Sequence, residues 1–152
     1  MQCLAGGEFF LMQDDRIIYM LAMAHLAVRA HIGSEFLREG IKVTLPQATV
    51  LFLLQEKDGR MLSEIGQVLG VDNSAVTGLA DRLEKAGYVA RKPNPGDRRA
   101  WHLHITPQGR GEAQKAAGVV RKVNAEAKAG FSEQDMDAFK RVLKGFSEKF
   151  RK

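Results

Sequence analysis

Two short helical stretches joined by little more than a glycine and a valine constrain this chain more than any other feature. Ser63 to Leu69 reads as one helix, with Ser63 as N-cap and Gly70 as C-cap. The next begins at Asp72 or Asn73, carries Val76, Leu79, Leu83 and Ala86 on one side, and stops at Gly87. So short a turn forces the two helices to cross steeply, the pattern of a helix-turn-helix. A generic helical hairpin gives a similar pattern, so the flanking residues have to decide between them.

Tyr88-Val89-Ala90-Arg91-Lys92 is strand-like, and Pro93-Asn94-Pro95-Gly96-Asp97 is turn chemistry throughout. Ala100 to Ile105 then alternates, with Trp101, Leu103 and Ile105 on one face and His102 and His104 on the other. A hairpin directly after a helix-turn-helix is a winged helix. Its tip is polar and basic, a poor choice for core packing and a good one for following a phosphate backbone. Residues 82–99 hold six basic residues against Glu84 and Asp97, whereas the whole 152-residue chain is only +5. Such a local excess fits a polyanionic partner, with a solvated basic face as the plain alternative.

The flanks are helical. From Gln13 to Glu39 apolar residues recur every three or four positions, and Gly40 ends the run. Thr44 to Glu56 forms a second helix with Pro46 in its first turn, followed by a turn over 57–60. Thr106 and Pro107 start a long helix to about Ala129, and Ser132 caps a last one with Glu133 and Asp135 in its first turn. Met136, Phe139, Val142 or Leu143, Phe146 and Phe150 stripe that last helix. A chain of this size has little core to spare for two long terminal helices, so a second copy is the expected partner. Ile18, Met23, Leu26 and Phe52 are expected in the core rather than around a ligand.

The remaining features exclude more than they suggest. No unbroken apolar run, Val50 to Leu54 included, approaches the ~20 residues of a bilayer span, and Met1 to Phe10 has no basic residue to start a secretory signal. Cys3 is the sole cysteine, so no intrachain disulfide forms and a reducing, cytoplasmic setting is expected. There is no phosphate-binding glycine loop, no His-Glu-x-x-His and no nucleophile elbow, so no enzyme, cofactor or catalytic site is expected. His102 and His104 fall short of a metal set, His25 and His31 lie on different faces of their helix, and Cys3 has no basic neighbour to activate it.

Residues 62–89, Leu-Ser-Glu-Ile-Gly-Gln-Val-Leu-Gly-Val-Asp-Asn-Ser-Ala-Val-Thr-Gly-Leu-Ala-Asp-Arg-Leu-Glu-Lys-Ala-Gly-Tyr-Val, resemble the core of the MarR family of bacterial transcription regulators. Asp97-Arg98-Arg99 and the later Ile105-Thr106-Pro107-Gln108-Gly109-Arg110 are similar to that family's wing and exit helix. The resemblance implies a mainly α fold with a small β-hairpin wing. Residues 41–105 would be the winged helix-turn-helix lobe, with its helix-turn-helix at about 62–86 and its wing at about 88–105. Residues 1–40 and 106–152 would supply the dimerisation helices. It further implies a cytoplasmic homodimer that binds a near-palindromic operator as a repressor, in many members under small-molecule or redox control. One departure is Gly78, where many relatives carry a basic residue.

On this reading Asn73, Ser74, Thr77 and Gly78 face base edges and phosphates from the N-terminal half of the reading helix. Ser63 meets a phosphate at a helix N-terminus. Arg82 takes either the DNA backbone or Glu64, with the backbone preferred, and Asp81 is structural. Arg91 and Lys92 touch the backbone from the first wing strand. Arg98 and Arg99 sit at the wing, and the resemblance makes Asp97 the brace of an arginine that enters the minor groove. Ile17, Leu21, Phe139, Leu143, Phe146 and Phe150 form the dimer interface. A protein-binding winged helix without strong DNA affinity, or a redox- or metal-responsive relative, is the competing reading.

Overall fold

A computed structural model of the chain describes residues 16–94 and 97–150, with the side chains of 97–100 outside that description. The elements follow as α1 (Ile17–Arg38), α2 (Leu45–Glu56), β1 (Arg60–Met61), α3 (Leu62–Leu69), α4 (Asn73–Lys85), β2 (Val89–Asn94), β3 (Asp97–Ile105), α5 (Pro107–Lys128) and α6 (Glu133–Phe150). Of the two cap candidates before α4 the chain uses Asp72, the cap foreseen at Thr106 is in place, and so is the left-handed Gly70 closing α3, while Thr44, read as the first residue of α2, stands just before it as its N-cap. At the last helix, Ser132 Oγ accepts from Asp135 N–H at 3.1 Å, and the Asp135 carboxylate accepts in return from Ser132 N–H at 3.2 Å.

Two boundaries differ from expectation. Ser63 is not an N-cap but lies in the first turn of α3, because the chain enters that helix from a strand the sequence did not announce. Arg60 and Met61 pair antiparallel with Leu103 and His102, giving a three-stranded sheet in the order β1-β3-β2. Glu64 then accepts from the Met61 N–H at 2.8 Å and so secures the helix start. The wing strands are also longer than expected, leaving only 95–96 between them. Pro93 is tolerated inside β2 because β2 is an edge strand, where a missing N–H breaks no inner ladder.

One core joins the lobe to the spine of the molecule. Leu51 and Leu54 of α2, Ile65 of α3, Val76 and Leu83 of α4, and Leu103 of β3 are fully buried against Ala113, Ala116, Val119 and Val123 of α5. Gly66 makes the tight α3–α4 crossing possible, since a Cβ there would stand 3.1 Å from Val76 Cγ2 and 3.2 Å from the Val71 carbonyl. Two buried carboxylates tie this core to α1. Glu35 pairs with Arg38 and with Lys122 of α5 (3.3 Å), and Glu112 accepts the Lys42 N–H while facing Lys115. These partners offset the desolvation that would make lone buried charges costly.

Beyond that junction the terminal helices are bare. Ile18, Met23 and Leu26, expected in the core, are exposed on α1, and only Phe52 packs half-buried against it. By length and composition the 22-residue α1 is also apolar enough to cross a membrane, which a search for unbroken apolar runs misses because His25, Arg29 and His31 interrupt it. No residue of α6 is buried.

Candidate nucleic-acid interface

The reading helix starts from a well-made cap. Asp72 Oδ1 accepts the Ser74 hydroxyl at 2.7 Å and the Ala75 N–H at 2.8 Å, and these bonds hold its carboxyl below the usual carboxylate range. Behind it Asn73, Ser74 and Thr77 are exposed while Val76, Ala80 and Leu83 are buried, so the polar face points away from the core. The Thr77 hydroxyl donates to the Asn73 carbonyl at 2.7 Å, which spends its polar group on the helix and leaves its methyl for contact outside. Gly78 has nothing within 4 Å of where a Cβ would stand, so the helix surface there is low and open.

Ser63 is exposed near the start of α3, and it shares an open cleft of about 790 Å³ with Gln67, Asn73 and Phe150 of α6. Gln67 was missed in the sequence. Its spacing four residues after Ser63 on the exposed side of a short helix is the signal that could have found it. Arg82 and Lys92 are exposed. Glu64, the alternative partner for Arg82, instead serves the α3 start and Lys57 at 3.9 Å. Asp97, Arg98 and Arg99 lie on β3, but their side chains, like Cys3, are outside the described residues.

Arg91, expected on the DNA backbone, is engaged within the lobe. Its guanidinium turns inward to α4, 2.5 Å from Asp81 and 3.3 Å from Glu84, and its own N–H donates to Glu84 at 3.2 Å. The register explains this, because Arg91 pairs with buried Leu103 and so shares the inner face of the hairpin. Asp81, expected to be structural, is thus paired with the wing.

On the same inner face Leu103 and Ile105 are buried, but Trp101 lies past the edge of the core, 45% exposed. On the outer face His104 Nδ1 meets Asp58 at 3.1 Å. Asp58 also accepts the Ile105 N–H at 2.8 Å and so pins the α2–β1 turn to the base of the wing.

The residues expected at a dimer interface split by depth. Ile17, Leu21, Phe139 and Phe150 are exposed, and Leu143 and Phe146 half-buried, with the Phe146 and Phe150 rings edge to face at 6.4 Å. Between α1, α2 and the helix-turn-helix lies a cleft of about 250 Å³, lined by His25, Arg29, Pro46, Thr49, Leu69 and Leu79 among others. Its walls are largely apolar, with His25 and Arg29 as the basic groups.

With the geometry in place, comparison with known proteins is consistent in direction. Residues 43–101 match the model of the MarR family. The uncharacterized HTH-type transcriptional regulator YfiV of Bacillus subtilis is 35% identical over 102 residues, 66% of this chain, which in turn spans only 62% of that relative's length. An HTH-type transcriptional repressor of Mycobacterium tuberculosis is 28% identical over 133 residues, covering 88% of this chain and 94% of the other. Among solved structures, BpsR of Bordetella bronchiseptica, whose DNA binding is regulated by 6-hydroxynicotinic acid, superimposes with a TM-score of 0.77 at 22% identity, over 88% of this chain and 99% of the other. At that identity the likeness shows the fold alone.

Proposed function

The chain belongs to the MarR family of transcription regulators, and from that premise we propose that it is a cytoplasmic homodimer that binds a near-palindromic operator and represses transcription until a small molecule releases it. The observation that carries this reading is the capped, outward-facing polar end of α4, with Asn73, Ser74 and Thr77 exposed and the wing strands beside it. A helix end of that kind enters a major groove without steric conflict, and the adjacent hairpin follows the backbone toward the minor groove. Ser63, Arg82 and Lys92 supply donors to phosphates around it, and at the wing Arg98 and Arg99 reach toward the minor groove with Asp97 bracing Arg99. Residues 41–105 act as the DNA lobe, and the two long terminal helical segments as the dimerisation region.

The exposed apolar faces of α1 and α6 support dimerisation, because so much bare apolar surface on one chain calls for a partner. The cleft under Arg29 supports release by a ligand, since movement of α1 against the helix-turn-helix would change the spacing of two reading helices. The repressor from Mycobacterium tuberculosis and ligand-regulated BpsR favour the same sign and logic.

The test is to recover the genomic DNA fragments that the purified protein retains and to footprint it on them. Two protected half-sites roughly one helical turn apart, about 34–36 Å, are expected. Affinity should fall steeply with salt, as phosphate contacts require. Salt-insensitive capture of protein in place of DNA would instead establish the interaction-module reading.

A further inference from the structure

The reading helix carries two carboxylates, Asp81 and Glu84, on an element that has to approach a polyanion. Both converge on one guanidinium from the wing. Arg91 Nη2 stands 2.5 Å from Asp81 and Nη1 3.3 Å from Glu84, while the Arg91 N–H donates to Glu84 and Nη2 reaches the Thr77 carbonyl at 3.5 Å. The Arg91 side chain is only 22% exposed, and its Nε is buried without a hydrogen-bond partner. A planar fork held at both ends over two turns of one helix fixes an angle, which a single flexible ammonium cannot do.

We propose that Arg91, Asp81 and Glu84 form the strut that sets the wing's angle against the reading helix, so that Arg91 is a positioning residue for DNA binding and not a phosphate contact. The proposal rests on the DNA-binding reading above. Charge explains the choice of residues. Asp81 and Glu84 would repel phosphates if left free, and the guanidinium both offsets them and puts them to structural use. The wing arginines then meet the minor groove only while the hairpin stands at the angle the strut defines. Among the described residues, the buried contacts of β2 and β3 gather at the base of the wing, around Val89, Leu103 and Ile105.

Binding isotherms over a range of salt, with a labelled duplex recovered from genomic DNA by the purified protein, separate this role from a direct one. Arg91→Lys keeps the positive charge and loses the fork. A strut predicts roughly tenfold weaker binding, in the range of coupling between linked sites, whereas a phosphate contact predicts near wild-type affinity. For Arg91→Gln a phosphate contact predicts a salt slope lower by about 0.9, and a strut predicts weaker binding at an unchanged slope. Asp81→Asn removes an exposed negative charge near DNA, so a bystander carboxylate predicts tighter binding and a strut predicts weaker binding. If the Arg91 variants fail to fold by thermal melting, this near-isosteric change at a half-exposed side chain carries the test alone. Asp81→Asn binding as tightly as wild type or tighter, or Arg91→Gln losing one contact from the slope, overturns the strut. A wild-type protein that retains no duplex at any salt overturns the DNA-binding reading itself, and the strut with it.

Discussion

From Ile41 to Ile105 most of the large apolar side chains have somewhere to go, whereas from Ile17 to Val28 they do not. In the first region Val50, Leu51, Leu54, Ile65, Val76, Leu83 and Leu103 are all but inaccessible, and even the turn at Asp58 is tied down. In the second, every residue of α1 up to His31 is exposed, Ile18 at 64% among them, and α6 buries nothing. Both regions are built from similar apolar spacing. What separates them is whether the complementary surface belongs to the same chain. The lobe closes on itself and presents polar groups outward. The terminal helices present apolar groups outward, the surface that the proposed dimer would cover.

The strongest way to break that contrast is to remove α6. Ending the chain after Gly130 deletes no member of the buried core but strips the Phe139, Phe146 and Phe150 stripe from the proposed interface. The expected result is an unstable, aggregating chain that no longer sediments as a dimer. A well-folded monomer, by sedimentation and circular dichroism, would show that the terminal helices need no partner.

Within the lobe, Gly109→Ala should be the most damaging single methyl. A Cβ there would fall 2.0 Å from the Tyr88 carbonyl oxygen and 3.0 Å from Ile105 Cγ1, both part of the joint between wing and α5. Thr106 completes that joint, since its hydroxyl donates to the Gly87 carbonyl and accepts the Gly109 N–H. The chain has no slack there, so the cost should reach or pass the upper end of the about 1–3 kcal/mol typical of overpacking. Denaturant melts should show it at every protein concentration, unlike a change on α1 such as Leu21→Ala, whose effect should grow on dilution. A melt that stays at the wild-type midpoint would mean that α5 can shift freely against the wing.

Much of this was legible in the sequence, for identifiable reasons. Helix spans, the Asp72, Thr106 and Ser132 caps and the hairpin depend on neighbours within a few residues, and such signals survive without tertiary context. The misses share the opposite property. The two-residue β1 has no periodicity to read, and it displaced Ser63 from the cap position. The buried Glu35 and Glu112 each have one partner three residues on, but the contacts that tie them across the fold are 87 and 70 residues away. The inward turn of the Arg91 guanidinium follows from the register of β2, which is equally invisible in the sequence. Leu26 and Ile18 looked like core because periodicity reports that a face is apolar, not what covers it.

Wing chemistry sharpens the contrast from its polar side. If Arg99 enters the minor groove with Asp97 holding it, Arg99→Ala should weaken operator binding by roughly 1–3 kcal/mol, the scale of one good DNA contact. Asp97→Ala should weaken it too, against the sign that simple repulsion between a carboxylate and DNA would give. Melting temperatures should stay near wild type, because surface changes of this kind seldom exceed about 0.5 kcal/mol in stability. Binding at two salt concentrations decides it: unchanged or tighter binding by Asp97→Ala leaves the arginine without a brace.

The smallest effect tests whether the lobe's closure extends to its surface turns. Burial acts to raise the Asp58 carboxyl, and the Ile105 N–H, the His104 ring and the Gly59 N–H together outweigh it and hold the group below its ordinary value of 3.8. A carboxylate whose folded value is lowered contributes stability that is complete above the unfolded value and is lost as pH falls through the folded one. Asp58→Asn keeps the shape and loses the charge, so it should cost about 1 kcal/mol at neutral pH, a charged hydrogen bond discounted for its partial exposure. Below the ordinary carboxylate value that gap between wild type and variant should narrow, because the unfolded wild type then takes up a proton that the folded Asp58 still resists. Urea melts at pH 7 and near pH 3 measure it. A gap that is constant between the two would mean that the Asp58 charge does nothing for the turn, and that His104 and Ile105 are held by shape alone.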